Sequence, residues 1–285
     1  MSGVDYFDDD QAINPFMTKV APIDRAKAQI EHQNIRAALE SAGVTVVKVA
    51  PPADCQDGVY TANWGLVRGD KAVLASLPNA RKAEEAYAAQ ILAQQGKTVI
   101  RLPKGLKFSG QGDSLPCGNL LFCGSNYRSD PEAQEFVARE LGFERIQLQA
   151  VSLLDEHGTP VINVFSGWPD SFYYDLDLAV SVLRGPSEDQ KGLIAWCPAA
   201  LTPESQAIMR ALNSVDKIEV SEVEAREGFA CNLVSTGEVV IMNEGGVQLA
   251  RDIEAHGLRT IRLSNPELSK GGGSIRCSTL TLDNM

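Results

Sequence analysis

The chain has 285 residues, with 26 Lys and Arg against 37 Asp and Glu, a net charge of −11, and only 3 His. An acidic surface repels phosphate backbones, so a nucleic-acid partner is not expected. An apolar share of 44% speaks against disorder, and no window approaches about 18 consecutive apolar residues, so no membrane partner is expected either.

Residues 1–10 contain neither a basic run nor an apolar run of the kind that directs export, and Asp8, Asp9 and Asp10 read as a solvated face rather than a metal site. Six scattered Cys without CxxC spacing suggest reduced thiols and a cytoplasmic location, not a disulfide framework or structural zinc. The first helix is predicted over 24–42, with an apolar face of Ala26, Ile30, Ala37, Ala38 and Leu39 and a stop at Gly43. The second, 79–95, opens on the capping residue Asn79 and ends before Gly96. The third, 130–141, starts Asp-Pro-Glu and stops at Gly142. Further helices are expected at 202–213 and 246–256. Strands are expected at 45–49, 65–67, 72–75, 98–102, 120–123, 146–149, 193–196, 217–220, 239–242 and 260–263.

This order repeats. Ala62-Asn63-Trp64-Gly65-Leu66-Val67 leads through a Gly-Asp turn, a strand and a helix to a closing strand over 97–102. Ala230-Cys231-Asn232-Leu233-Val234 leads through a Thr-Gly turn, a strand and a helix to a closing strand over 258–263. Both are strand-turn-strand-helix-strand units, and helices end at intervals of roughly fifty residues over much of the chain, as in repeat folds. No long Pro, Ser or Gly linker divides the chain, so a single α/β domain over 1–285 is expected.

The strongest local signal is Lys270-Gly271-Gly272-Gly273-Ser274-Ile275-Arg276-Cys277. Three glycines allow backbone angles closed to other residues, and before a Cys they suggest an exposed, positioned thiol. The same string also reads as a flexible turn before a last strand at 278–282 with a buried Cys.

That loop resembles the nucleophile loop of the guanidino-modifying, or amidinotransferase-like, superfamily, which includes arginine deiminases, dimethylarginine dimethylaminohydrolases and arginine dihydrolases. Other segments agree in order. Ala12-Ile13-Asn14-Pro15-Phe16-Met17 resembles the first-strand motif, and Asp57-Gly58-Val59-Tyr60-Thr61-Ala62-Asn63-Trp64-Gly65 resembles D-x-V-F-x-A-N-x-G. Phe108-Ser109-Gly110-Gln111-Gly112-Asp113 resembles F-E-G-x-G-D, Tyr127-Arg128-Ser129-Asp130 resembles G-x-R-T/S-D, and Tyr173-Tyr174-Asp175-Leu176-Asp177 resembles F-Y-H-L-D. The resemblance implies the pentein fold, a pseudo-fivefold α/β propeller of strand-strand-helix-strand repeats around a central channel. It implies a Cys277 nucleophile acting on the amidine C–N bond of an arginine-like cation through a covalent thiouronium. No metal or organic cofactor is implied, and a homodimer is a further expectation.

The sequence departs from the pattern at two linked positions. Ser109 stands where the family has an acidic residue, and Asp175 stands where it has a histidine. A histidine exchanges protons near neutral pH, whereas an aspartate with an unperturbed pKa of about 3.9 needs desolvation or neighbouring negative charge. Asp177, two residues on, would face the same side of a strand as Asp175 and raise one pKa of the pair. His32 reads as a helix residue, His256 as a helix C-terminal residue, and His157 as a loop residue that either is exposed or folds over the channel.

Cys277, Asp175 and Asp113 are therefore the catalytic candidates, and Asn14, Asp57, Asn63, Arg128 and Asp177 the substrate-binding candidates. Each has a plainer alternative. Asn63 and Asp113 fit turns, Asp57 fits a strand-start cap, and Arg128 fits either a substrate carboxylate or a surface pair with Asp130. A competing reading is a binding protein that kept the cavity and lost turnover.

Overall fold

The computed structural model describes residues 1–18 and 21–284, apart from the side chain of residue 79. The expected cap by the Asn79 side chain therefore lies outside the described residues. After α1 (Arg25–Ser41), whose Asp24 cap accepts from the Ala26 and Lys27 amides, the chain folds four times into one unit. The unit is an antiparallel strand pair, a helix, and a third strand parallel to the second.

The first unit is β1 (Gly65–Arg68), β2 (Lys71–Leu74), α2 (Glu84–Gln94) and β3 (Thr98–Ile100). The second is β4 (Ser114–Cys117), β5 (Leu120–Ser125), α3 (Pro131–Leu141) and β6 (Glu144–Gln149). The third is β7 (Val180–Arg184), β8 (Gly192–Trp196), α4 (Pro203–Ala211) and β9 (Val215–Glu219). A short α5 (Glu222–Arg226) leads to the fourth: β10 (Val234–Ser235), β11 (Val239–Asn243), α6 (Val247–Ala255) and β12 (Arg259–Leu263). α7 (Pro266–Lys270) then delivers the glycine loop. Among the described residues these make four three-stranded sheets, with the second strand central in each. A central strand is covered on both faces, and β8 and β11 accordingly read as unbroken buried runs.

The first strands form the inner wall: β4 packs against β7, and β7 against β10. The fifth position is taken by the C-terminal segment, which runs beside β1. The Cys277 carbonyl accepts from the Ala62 amide, and Asn284 reaches the Val67 carbonyl and Gly69 amide. With α1 as its helix, this completes the pseudo-fivefold α/β propeller.

Two expected strands, 45–49 and 278–282, do not form. Residues 47 and 49 make single bonds to Met1, and Ser278 and Thr279 bond back to Ser274 and Arg276 in tight turns. Neither segment has a partner offering a continuous ladder. The helix expected at 79–95 breaks into a 3-10 turn (Asn79–Arg81) and α2. The break lets Arg81 and Glu84 point inward, where they are 2% and 0% exposed.

Arg81 donates to both Glu84 oxygens at 2.7 Å, to Asn63 Oδ1 at 2.6 Å, and to the Asp57 and Tyr60 carbonyls at 3.1 Å. Trp64 Nε1 donates to Glu84 at 3.0 Å. Removing one charge of a buried pair strands the other. Glu84→Gln is thus expected to destabilise the fold by about 3–5 kcal/mol, read as a lowered urea midpoint at unchanged slope.

Candidate active site

Each repeat places one polar side chain at the head of its first strand. Asn63 lies in the 3-10 turn Thr61–Trp64 before β1, and Asp113 closes the turn Gly110–Gly112 before β4. Asp177 lies in the turn Leu176–Leu178 before β7, Asn232 lies just before β10, and Cys277 heads the C-terminal segment. All five are buried. Turns leave backbone donors unsatisfied and hold short polar side chains at fixed angles, so the five heads converge on one hub.

Asn232 grips Cys277 from two sides. Its Oδ1 accepts from the Cys277 and Ser274 amides at 3.2 and 3.1 Å, and its Nδ2 lies 3.1 Å from the sulfur. Asp177 Oδ2 lies 3.4 Å from the same sulfur. The thiol is not exposed as the loop suggested: Cys277 is 2% exposed. Burial pushes it well above the usual thiol range, and Asp177 and Asp175 push further in the same direction.

The glycines serve close packing by the protein itself. Gly272 has φ +86°, and a Cβ there would lie 2.5 Å from Asn14 Oδ1; one on Gly273 would lie 2.6 Å from the Tyr60 ring. Asn14 donates to the Gly271 carbonyl at 3.0 Å, Tyr60 to Leu268 at 2.6 Å and Tyr174 to Gly272 at 2.5 Å. Asn14 thus braces the glycine loop that leads to Cys277.

Three carboxylates cluster here: Asp177 lies against the thiol, Asp175 is close enough to raise it, and Asp113 neighbours both of them. Asp113 Oδ1 accepts from the Leu176 amide at 2.9 Å, and Asp175 Oδ2 accepts from Asn63 Nδ2 at 2.8 Å. Asp113 Oδ2, Asp175 Oδ1 and Asp177 Oδ1 are buried without a hydrogen-bond partner. Asp175 and Asp177 do not share a strand face, because the chain enters the Leu176–Leu178 turn straight after Asp175. They still interact: burial first, then Asp175, pushes Asp177 up to about 8. Asp113 is pushed up in the same way, by burial and then Asp175.

Arg128 is neither exposed nor paired with Asp130. It is 6% exposed, lies 3.7 Å from Asp175 and 3.9 Å over the Tyr174 ring, and donates to the Ile13 carbonyl at 3.2 Å. Asp130 pairs with Lys107 instead. Asn63 is a junction, taking Arg81 on its oxygen and giving its amide to Ser109 and Asp175. The two departures from the family pattern therefore meet through one asparagine. Asp57 is buried beside this network and hydrogen-bonded by Gln56, and burial pushes it up to about 6.

His157 is 78% exposed and pairs with Glu156, so it does not cover the channel. His256 caps α6, with Nδ1 2.7 Å from the Asp252 carbonyl, and His32 is buried in α1. Among the described residues, no group of three His, Cys, Asp or Glu is placed to share a metal ion, and no helix is long and apolar enough to cross a membrane.

Asn232, Arg81 and Arg276 were missed in the sequence. Arg276 donates to Gln111 Oε1 at 2.8 Å and Thr281 Oγ1 at 3.0 Å. For Asn232 a partial signal existed: like Asn63 it lies between an Ala and a Leu-Val pair, Ala230 and Leu233-Val234 against Ala62 and Leu66-Val67, though at different spacing.

Residues 6–164 match the family described as N,N dimethylarginine dimethylhydrolase, eukaryotic. The bifunctional arginine dihydrolase/ornithine cyclodeaminase AgrE of Nostoc sp. is 30% identical over 281 residues, 97% of this chain, which spans only 36% of that relative. The N(G),N(G)-dimethylarginine dimethylaminohydrolase of Mycobacterium tuberculosis is 30% identical over 273 residues, 95% of this chain and 81% of the relative. The crystal structure of the substrate-bound N-terminal domain of ArgZ, a cyanobacterial arginine dihydrolase, superposes with a TM-score of 0.85 at 28% identity, covering 99% of this chain and 97% of that one. A dimethylarginine dimethylaminohydrolase adduct shares the fold, with a TM-score of 0.68 at 19% identity over 93% of this chain and 94% of that one.

A carboxyl group held at about 8 when folded and 3.8 when unfolded keeps one extra proton on the native state between those values. Stability of the unliganded protein is therefore expected to fall as pH rises from about 4 to about 8 and then level off, with Asp57 adding to the lower part of the window. Urea midpoints across this range check it, and Asp177→Asn should show a markedly shallower decline.

Proposed function

This chain belongs to the N,N-dimethylarginine dimethylhydrolase family of guanidino-modifying penteins, and we propose that it is a cysteine-dependent hydrolase of an arginine-like substrate's amidine C–N bond. One observation carries the reading. Three neighbouring buried carboxylates, one of them 3.4 Å from a buried thiol, each keep an oxygen without a hydrogen-bond partner. Such a site is costly until a cation enters, and a planar guanidinium offers several N–H donors to several acceptors at once.

The cation also switches the chemistry. Its charge offsets the carboxylates that hold Cys277 protonated, so the thiolate forms with substrate in place. Asp177 Oδ2, 3.4 Å from the sulfur, receives the thiol proton. Sulfur then bonds the amidine carbon, and the C–N bond breaks. The departing amine takes the proton back from Asp177, leaving a thiouronium. Water attack breaks the C–S bond, yielding a ureido product and the free thiol. Asp177 thus replaces the family's histidine, because a pKa of about 8 lets it both accept and donate near neutral pH. Asp175 and Asp113 hold the guanidinium, and Arg128, stacked on Tyr174, faces the substrate's carboxylate end.

A second reading, binding without turnover, rests on Asp175. Its Oδ2 already takes Asn63 and lies 3.7 Å from Arg128, which fits an electrostatic anchor better than a proton carrier. Incubation with arginine and methylated arginines, followed by intact mass analysis and product assay, separates the two. The hydrolase reading expects a Cys277 adduct and a ureido product. Stabilisation by ligand with neither would establish the binding reading. The kcat/KM profile should show an apparent pKa near 8. In Asp177→Asn that limb should disappear, with kcat reduced about 100- to 10,000-fold.

A further inference from the structure

We infer that the reaction centre has a second entrance, a channel that brings the hydrolytic water to Asp177 from the face opposite the substrate. The inference rests on the hydrolase reading above. The inner strands start at the hub and run away from it: Asp177 leads into β7, Asn232 into β10 and Cys277 into the segment ending at 284. Beside these segments, from their heads outward, lies a cavity of about 140 Å³, enough for several waters.

Its floor is Asp177 and Arg276, its wall includes Ser181, and its rim includes Val182, Val234 and Asn284. The rim residues are partly exposed, so the cavity opens to bulk solvent. Cys277, Asp175 and Asp113 do not line it. The only one of the three carboxylates that faces both the thiol and this cavity is therefore Asp177.

Two side chains point to water as the occupant. Asp177 and Ser181 line the cavity, are 1% and 4% exposed, and keep a buried oxygen each, Oδ1 and Oγ, without a hydrogen-bond partner in the protein. Buried polar atoms of this kind are satisfied by water in a cavity that is polar and roomy enough. The cavity is also suited to excluding substrate, because Arg276, held by Gln111 and Thr281, places a cation across its inner end. A guanidinium is repelled there while water passes.

The chemistry needs such a route. With Cys277 and Asp175 2% and 0% exposed, a bound substrate fills the remaining approach to the sulfur. A water reaching Asp177 from behind loses one proton to that carboxylate as its oxygen bonds the thiouronium carbon. The C–S electron pair returns to sulfur, which takes the second water proton as the ureido carbonyl forms.

The test separates formation of the adduct from its decay. Ser181→Leu and Val182→Phe each fill the channel, and Val182→Ala widens its rim. Rapid-quench mass analysis with arginine is expected to show wild-type adduct formation in all three. Decay should be at least about tenfold slower in both filled variants, so that the adduct accumulates, and unchanged in Val182→Ala. Folded variants of both filled kinds that clear the adduct at the wild-type rate would overturn the channel and leave the hydrolase reading intact. A wild type that makes no adduct would overturn both.

Discussion

The hub of this molecule carries more buried negative charge than it neutralises. Three carboxylates and a thiol share one water-poor centre with two guanidinium groups at its edges, Arg128 and Arg276. Desolvation disfavours every charge there, so Asp113, Asp177 and Cys277 are all pushed toward their neutral forms. With no further cation beside them, these groups favour their protonated forms.

Holding that arrangement is the work of the fold. Repeating one unit brings five strand heads to a common point, so a residue from each repeat reaches the centre without long loops. A second layer keeps them there. Trp64 bonds Glu84, Glu84 clamps Arg81, Arg81 fixes Asn63, and Asn63 orients Asp175 and Ser109. Glycine is required where these groups crowd. A Cβ on Gly112 would lie 2.5 Å from Asn63 Nδ2, and one on Gly124 would lie 2.6 Å from Asp113 Oδ1.

Much of this was legible in the residues. The helices at 24–42 and 130–141 emerged within a residue or two because their caps and stops are local chemistry: Asp24 on its own amides, Pro131 at a first turn, and Gly142 at φ +71°. The two aligned repeats correctly announced the repeating unit. Less legible were the short inner strands β4 and β7. Both are mostly buried without clean alternation, so neither shows the period of two that marks a half-exposed strand. The split before α2 was invisible for a related reason. Its helical periodicity continues through Arg81, and the partners that hold that side chain inward include the sequence-distant Asp57, Tyr60 and Asn63.

The sequence by itself determined the repeating α/β unit, the membership of a guanidino-modifying family, and the identity of the groups able to do chemistry, because these depend on local backbone preference and on residue type. Which of those groups meet was decided by the tertiary structure alone. Closing the ring put Asp177 rather than Asp175 beside the sulfur, drew Arg128 away from Asp130 into the interior, and tied Asn14 to the glycine loop. It also set the proton affinities, since burial and through-space charge raise Asp177 to about 8, and neither quantity exists until the five repeats enclose a common centre.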